Sequence, residues 1–273
     1  MPSGAWASGL RLRALSSVVM IAAALVAVSA GPEIFAIFIV AGVVVLAWEW
    51  VKLTGEGRFG ATGAALAFTV VVIVASAVAG QPALALAGAA VASLVVYVFA
   101  WRSGRDHPRW IAVGPLYIGL PAVALIWLRG GDEQGRQLIL WLLLTVWATD
   151  IGAFFAGRLI GGPLLAPRIS PKKTWAGLAG AIVSAGIVGT VASSVDSAAP
   201  ATVLLAAAGV LLAIVAQAGD LGESWVKRRF GAKDSSQLIP GHGGLFDRVD
   251  GLIAAAVVLG LWQWISGGGL AWR

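Results

Sequence analysis

The chain contains no cysteine and only two histidines, His107 and His242, among its 273 residues. The absence of cysteine excludes disulfides, thiolate metal centres and a cysteine nucleophile. Two histidines are too few for a zinc site built on several imidazoles. A metal site in this protein must therefore use oxygen ligands, and these favour hard cations such as Mg²⁺.

Charged side chains are also scarce. Asp, Glu, Lys and Arg make up 12% of the residues, whereas 59% are hydrophobic; an ordinary soluble domain is about 25% charged. This composition excludes a soluble globular domain and a disordered chain. The apolar segments are continuous runs without alternation, which argues against a transmembrane barrel. The predicted fold class is all-α, a polytopic integral membrane protein.

About nine apolar segments are long enough to cross a bilayer, which takes about 20 mostly apolar residues. They lie near residues 14–30, 32–51, 62–80, 82–101, 111–129, 137–157, 175–195, 200–217 and 250–267. We expect N-terminal transmembrane helices over residues 1–110 and a catalytic region over residues 111–273.

Val28-Ser29-Ala30 resembles a signal-peptide cleavage site, so cleavage of residues 1–30 is open, but an uncleaved first span is favoured.

The Lys and Arg residues are distributed unequally between the predicted loops. With the N-terminus in the cytoplasm, sixteen of the 19 lie on the cytoplasmic side, as expected for a helical protein of the inner membrane. This orientation places two polar loops, residues 158–174 and 219–250, on the cytoplasmic face. The basic face and the net charge of +6 suit contact with membrane lipid, and we expect no nucleic-acid partner.

Two carboxylates lie inside predicted spans, where ionisable residues are costly and usually functional. Glu49 lies between Trp48 and Trp50 near the inner end of the second span, and we expect an interfacial carboxylate within an aromatic belt. Asp150 lies eight residues before Arg158, about two helical turns from the inner face. A structural pair with an arginine is one interpretation of Asp150, and we favour a functional role.

The first polar loop ends in Ser170-Pro171-Lys172-Lys173-Thr174, directly before a span. Ser followed by Pro predicts the N-cap and the first residue of a helix. The free amides of that first turn, together with Lys172 and Lys173, would form an anion site at the membrane face. The alternative is a basic anchor that binds lipid head groups. Both interpretations remain open on these residues alone.

The second polar loop combines five basic with five acidic residues. If the eighth span continues as a helix, Asp220, Glu223, Ser224 and Lys227 share one face. A second acidic pair, Asp247 with Asp250, stands at the entry to the last span, and the two pairs could converge. Such carboxylates would repel one another unless cations intervene, and Mg²⁺ with substrate phosphates would satisfy them. The alternative is a salt-bridged loop.

These residues resemble the signature of phosphatidate cytidylyltransferases, the CDP-diacylglycerol synthases. The resemblance runs without a gap over residues 224–250. It rests on Ser224, Lys227-Arg228, Lys233-Asp234, Ser236, Ile239-Pro240, His242-Gly243-Gly244-Leu245 and Asp247-Arg248-Val249-Asp250. The segments 217–223, 150–158 and 170–174 also resemble the family, so the likeness covers roughly the C-terminal half. Ile151 and Ala176 depart from the family pattern, which usually has a hydroxyl residue and a Glu there.

The resemblance implies that CTP and phosphatidate react to CDP-diacylglycerol and pyrophosphate, with Mg²⁺ and a possible second cation as cofactors. Under this reading the catalytic residues are Asp220, Asp247, Lys227, Arg228, Lys233 and Arg248. The metal ligands are Asp220 and Asp247, followed by Asp150, Glu223 and Asp250. The substrate-binding residues are Ser170, Lys172, Lys173, Thr174, Ser224, His242, Gly243 and Gly244. A homodimer stays open, and the alternatives are a CTP-dependent lipid kinase and a membrane transporter.

Overall fold

The computed structural model describes residues 3–55, 57–195 and 199–270, with side chains from residue 12 onward. Within these ranges the chain forms nine long helices and one small hairpin. The helices are α1 (Ser3–Ser29), α2 (Pro32–Thr54), α3 (Gly60–Val78), α4 (Pro82–Arg102), α5 (Pro108–Arg129), α6 (Glu133–Leu159), α7 (Trp175–Val195), α8 (Thr202–Arg229) and α9 (Phe246–Ile265), and the hairpin pairs β1 (Leu164–Ala166) with β2 (Ser170–Thr174).

In the described part of the chain, nine helices are long and apolar enough to span a membrane, which confirms the predicted polytopic class. Proline begins three of them, at Pro32, Pro82 and Pro108, because its fixed φ suits the first helical position. The turns before the first two contain Gly31 and Gly80, which adopt positive φ angles of 125° and 75°. The span boundaries therefore follow local sequence signals.

Helix α8 extends well beyond the apolar segment predicted near residues 200–217. It continues to Arg229, so that its last three turns carry five of the ten charged residues of the second polar loop. The prediction that Asp220 and Glu223 share one face required the eighth span to continue as a helix, and it does. The remaining polar loop between α8 and α9 is correspondingly short.

The chain divides into two compact units, and each is described by itself. Unit 1 comprises residues 1–126 and 229–249, and unit 2 comprises residues 127–228 and 250–273. The boundary at residue 110 between an N-terminal and a catalytic region stays a prediction.

In unit 1, small and branched side chains of α3, α4 and α5 form one apolar cluster, in which Ile73, Ala85, Ala89 and Val123 are all buried. A second packing centre is aromatic. Tyr117 stacks on Phe246 with ring centroids 5.8 Å apart, and Trp50 lies 5.0 Å from Tyr117. These rings hold the polar loop's last residues and the start of α9 against α2 and α5.

In unit 2, helices α6 and α7 approach closely along a line of glycines. A Cβ placed at Gly180 would clash with the side chain of Ala156 and the carbonyl of Gly152. A Cβ at Gly157 would lie only 3.6 Å from the Cα of Gly177. Small residues of this kind let membrane helices pack backbone to backbone. The close approach positions the hairpin and the first turn of α7 beside α6.

The predicted helix start at Ser170 is wrong. Residues 170–174 form strand β2, antiparallel to β1, with Ala166 opposite Ser170 and Leu164 opposite Thr174. Helix α7 begins at Trp175, and the Oγ1 of Thr174 accepts a hydrogen bond of 3.0 Å from the amide of Gly177, as an N-cap does. A Ser-Pro step also suits extended backbone, and pairing with β1 satisfies this segment before the helix begins.

Candidate functional site

A cavity of about 320 Å³ opens in unit 2 between α6, the hairpin, α7 and α8. Its polar lining combines acidic, basic and neutral side chains: Asp150, Arg158, Lys172, Lys173, Thr174, Gln217 and Asp220. Ala153 and Phe154 of α6 add an apolar wall, and Phe154 is 59% exposed. The tertiary structure thus brings three of the segments singled out in the sequence, around residues 150–158, 170–174 and 217–220, to one cavity.

An ion pair crosses this cavity. The Nζ of Lys173 lies 2.6 Å from the Oδ2 of Asp220, and it also donates to the backbone carbonyl of Gln217 at 3.5 Å. On the other side of the carboxylate, Ser224 donates to the Oδ1 of Asp220 at 3.4 Å. Lys173 was predicted as a phosphate ligand and Asp220 as a metal ligand, and their pairing with each other is visible only in the tertiary structure.

Further toward its C-terminal end, α8 carries a second ion pair. Lys227 and Glu223 are both buried, and the Lys227 Nζ lies 2.6 Å from a Glu223 carboxylate oxygen at i,i+4 spacing. A buried charge needs such a partner, because an uncompensated charge in an apolar interior is costly. The roles predicted for Lys227 as a phosphate ligand and for Glu223 as a metal ligand stay predictions, since the structure pairs the two residues with each other.

The first part of α9 that belongs to unit 2 adds a further carboxyl group. Asp250 lies close enough to Asp220, Glu223 and Asp150 for their charges to interact. Its Oδ1 accepts a hydrogen bond of 2.7 Å from the amide of Gly251. Four carboxyl groups of one unit thus share an electrostatic neighbourhood, in which Lys173 and Lys227 supply opposite charge.

The fit of a magnesium ion can be judged from the oxygen donors of this cavity. Among the residues that the structure describes, no group of three or more His, Asp or Glu side chains is arranged to hold a metal ion on its own. Mg²⁺ is usually bound in proteins by one or two carboxylates together with substrate phosphates and water. Asp150 and Asp220 both line the cavity and offer such hard oxygen donors. The donor chemistry therefore fits Mg²⁺ when substrate phosphates complete its coordination.

The polar loop between α8 and α9, and the first turn of α9, belong to unit 1. Here Asp247 organises the backbone, because its Oδ2 accepts from the amide of Ser235 at 2.9 Å, the hydroxyl of Ser235 at 3.0 Å and the amide of Gly244 at 2.8 Å. Gly243 adopts a φ of 86°, and a Cβ there would lie 2.9 Å from the same oxygen. The metal-ligand role of Asp247 stays a prediction.

The sequence did not reveal the partners of Glu49. This residue is fully buried in unit 1, and its carboxylate oxygens face four hydrogen-bond donors of the segment 235–246, while its predicted place at the membrane interface stays a prediction. The donors are the hydroxyls of Ser235 and Ser236 and the amides of Leu245 and Phe246, at 3.3, 2.6, 2.8 and 2.8 Å. A carboxylate inside an apolar span was the available signal, but its flanking tryptophans favoured the interfacial interpretation.

His242 contacts the first helix. Its Nδ1 lies 2.7 Å from the hydroxyl of Ser16, and its Nε2 lies 3.1 Å from the hydroxyl of Ser17. The pKa of His242 is lowered, because burial disfavours the imidazolium and because the cations of Arg248 and Arg13 repel it. This histidine is therefore a structural link between α1 and the polar loop, in addition to any contact with substrate.

The remaining predicted residues are mostly accessible. Arg228, Lys233 and Arg248 are exposed, and Ser170 at the start of β2 is half-buried. Gly244 is buried, and a Cβ at this position would clash with the hydroxyl of Ser235 and the carboxylate of Glu49. Only glycine fits at position 244. Packing against Ser235 and Glu49 therefore explains this glycine, whether or not a ligand also contacts it.

Comparison with known proteins gives a consistent result. The sequence profile described as the cytidylyltransferase family matches residues 11–265. A Brucella suis protein named phosphatidate cytidylyltransferase is 50% identical over 165 residues, which are 60% of this chain and 60% of that protein. Proteins of the same name from Pseudomonas aeruginosa and Bacillus subtilis are 38% and 36% identical, covering 86% and 54% of this chain and 89% and 55% of theirs. The match to the Brucella protein thus spans three fifths of its length.

Proposed function

The chain belongs to the cytidylyltransferase family, whose profile matches residues 11–265, and on that premise we propose that it is a phosphatidate cytidylyltransferase. The proposed reaction transfers the cytidylyl group of CTP to phosphatidate and gives CDP-diacylglycerol and pyrophosphate. Relatives from several bacteria carry the name of that activity. The product would enter phospholipid synthesis.

One observation supports this function most directly, namely the mixed charge of the cavity in unit 2. Arg158, Lys172 and Lys173 line it together with Asp150 and Asp220. The reaction brings an anionic lipid phosphate to an anionic triphosphate, so its main barrier is electrostatic. Basic side chains lower this repulsion, and carboxylates beside them suit a cation that the nucleotide carries. The apolar wall around Phe154 suits an acyl chain.

The chemistry requires little from the protein beyond charge and orientation. A phosphate monoester has a second pKa of about 6, so the phosphatidate oxygen is largely ionised at neutral pH and needs no general base. This oxygen forms a bond to the α-phosphorus of CTP while the bond to the bridging oxygen of the β-phosphate breaks. Lys172, Lys173 and Arg158 would then hold the negative charge of the phosphates and of the leaving pyrophosphate.

We propose magnesium dependence on the same grounds. Asp220 and Asp150 would hold the ion, with Asp250 and Glu223 as nearby carboxylates, and Asp247 remains a candidate from the family resemblance. When bound, Mg²⁺ would neutralise phosphate charge and orient the triphosphate. Lys173 pairs with Asp220, so the charge of this carboxylate is partly compensated within the protein.

The membrane setting of the site is proposed from charge distribution. The excess of Lys and Arg in alternate loops favours an inner-membrane protein whose N-terminus and polar loops face the cytoplasm, where CTP is available. Phosphatidate would reach the cavity from the membrane. A homodimer is compatible with this arrangement, and a nucleic-acid partner is not expected.

The direct test uses purified protein in detergent with phosphatidate, Mg²⁺ and CTP labelled at the α-phosphorus. We expect the label in a CDP-lipid, with one pyrophosphate released for each lipid formed, and no lipid product without phosphatidate. A second reaction with CTP labelled at the γ-phosphorus distinguishes the lipid kinase alternative, which would transfer that label to lipid. CTP turnover without a labelled lipid would refute both enzymes, and substrate uptake into vesicles without turnover would favour a transporter.

A further inference from the structure

We propose that Glu49 is a positioning residue for catalysis: from helix α2 it holds the segment 235–246 and the first turn of α9 in the geometry that the reaction needs. The inference deepens the proposed function and rests on it. It concerns a residue far in sequence from the 224–250 signature, to which the family resemblance assigns no role.

The contacts of Glu49 are all directed at this one segment. Both carboxylate oxygens accept two hydrogen bonds each: Oε1 from the Ser236 hydroxyl and the Leu245 amide, and Oε2 from the Ser235 hydroxyl and the Phe246 amide. The carboxylate is fully buried, so its charge needs hydrogen-bond donors in place of water. Three donors serve Glu49 alone, whereas the single proton of the Ser235 hydroxyl is shared with Asp247. Hydrogen bonds to an ionised acceptor are stronger than neutral ones, so the segment is firmly held.

The two amides are the first free donors at the start of α9. The amides that begin a helix lack intrahelical partners, and the positive end of the helix dipole attracts negative charge. Glu49 therefore caps α9 from a helix nearly 200 residues away. Because α9 carries Asp247 and Arg248 in its first turn, the cap determines where these two side chains lie.

Ser235 connects Glu49 to Asp247. Its hydroxyl lies 3.3 Å from the Oε2 of Glu49 and 3.0 Å from the Oδ2 of Asp247, and its amide donates to the same Asp247 oxygen. Gly244 completes the arrangement, because its amide donates to Asp247 and its missing side chain leaves room for Glu49. One buried carboxylate thus sets the orientation of a second carboxylate through a single serine.

Stability alone does not explain a carboxylate here. The rings of Trp50, Tyr117 and Phe246 already pack this region, and well-packed apolar residues often stabilise a protein as well as buried polar groups do. What an apolar residue cannot do is bind two hydroxyls and two amides at fixed positions. The geometry points to orientation of the signature segment as the contribution of Glu49.

The test compares Glu49→Gln with Glu49→Asp and with Glu33→Gln. Glutamine keeps the volume but turns an NH₂ group toward a donor, whereas aspartate keeps the charge and both acceptors on a shorter side chain. Glu33 is an exposed carboxylate at the start of the same helix, which makes it a matched control. We expect Glu49→Gln to lower kcat at least about tenfold with KM for CTP within about threefold, since small misplacements of reacting groups are costly. Glu49→Asp should recover part of the loss, and Glu33→Gln should behave as the parent protein.

Thermal unfolding in detergent and hydrogen exchange of the segment 235–246 accompany the kinetics, with kcat expressed per folded molecule. Faster exchange in this segment alone, together with a lower kcat, supports positioning. A merely structural role would lower the unfolding temperature and leave kcat of the folded fraction unchanged, which would overturn the proposal. If the parent protein forms no CDP-lipid, the proposed function has failed, and exchange then still decides whether Glu49 orders the segment.

Ser235→Ala provides a second test should Glu49→Gln not fold. This change removes the hydroxyl that lies between Glu49 and Asp247. It leaves the backbone amide of residue 235 on Asp247 and three of the four hydrogen-bond donors of Glu49 in place. We expect Ser235→Ala to lower kcat relative to the parent protein, which can be measured whether or not Glu49→Gln folds. Where Glu49→Gln does fold, the loss in Ser235→Ala should be the smaller of the two, and the double variant should lose less than the product of the two single effects, as coupled residues do. Full activity in Ser235→Ala would show that Asp247 is not positioned through this serine and would overturn the proposal.

Discussion

Lys173 and Asp220 form an ion pair, with 2.6 Å between Nζ and Oδ2, that joins strand β2 to helix α8 at the cavity of unit 2. Their side chains are 17% and 28% exposed, so the pair is partly shielded from water. The contact compensates the carboxylate and also places a cation among groups suited to phosphate. If phosphates bind in this cavity as proposed, Lys173 is already placed to contact them.

Replacing Lys173 by Met should weaken nucleotide use more than it weakens the fold. The loss of a charge-assisted contact of about 1.5–3 kcal/mol corresponds to a roughly ten- to hundredfold lower kcat/KM for CTP. Lys173→Arg should retain more activity, because the charge remains. Lys52→Met removes an exposed lysine of unit 1 and serves as the control. Unchanged kcat/KM in Lys173→Met would remove this lysine from the site.

Asp220→Asn and Asp247→Asn should each abolish Mg²⁺-dependent turnover in a protein that still folds. Asparagine keeps the size of either side chain but removes the negative charge that would hold a cation. In Asp220→Asn it also removes the charge that pairs with Lys173. CDP-lipid formation at a series of Mg²⁺ concentrations measures the effect, and elution as a single species in detergent shows that the fold persists. Near-normal activity in either variant would exclude that carboxylate as a required metal ligand.

Gly180→Ala should destabilise the protein by about 1–3 kcal/mol, because the added methyl group meets Ala156 and the backbone of α6 in a tightly packed contact. Gly88→Ala in α4 is the matched control, since a Cβ there has no neighbour within 4 Å. We expect a lower midpoint of thermal unfolding for the first variant and no decrease for the second. Equal midpoints would show that α6 and α7 can separate without cost.

His242 should make stability depend on pH. Its pKa is lowered in the folded protein, first by burial and then by Arg248 and Arg13, so the unfolded chain binds the extra proton more readily. The stabilisation that the neutral His242 provides is therefore fully present above the pKa of an unfolded histidine, about 6.5. It is lost as the pH falls below that pKa. Thermal midpoints at about pH 7.5 and pH 5.5 measure the loss, which His242→Gln should reduce. His107→Gln is the control, and an equal pH effect in His242→Gln would contradict this prediction.

Much of the fold was predictable because its signals are local. The long apolar runs marked seven of the nine spans to within about four residues, whereas α1 begins earlier and α8 ends later than predicted, at Ser3 and Arg229. The family resemblance likewise came from a continuous stretch, residues 224–250, whose polar residues can be read without a structure. Such features depend on neighbours in the chain, so composition and spacing suffice to identify them.

The details of the site were less predictable because they depend on distant partners. Ser170-Pro171 suits both the start of a helix and an extended strand, and only pairing with β1 selects the strand. The sequence suggested a role for Lys173 and for Asp220, yet the ion pair between them depends on how the hairpin packs beside α8.

The sequence by itself determined that this is an all-α membrane protein of the cytidylyltransferase family, because hydropathy and a continuous signature are properties of the chain. Only the tertiary structure decided the partners of its buried charges. Glu49 illustrates the difference: its neighbours in sequence are tryptophans that suggested an interface, whereas its partners in space are the serines and amides of residues 235–246. A buried carboxylate must find donors wherever the fold supplies them, and nothing in its own segment says where those donors are.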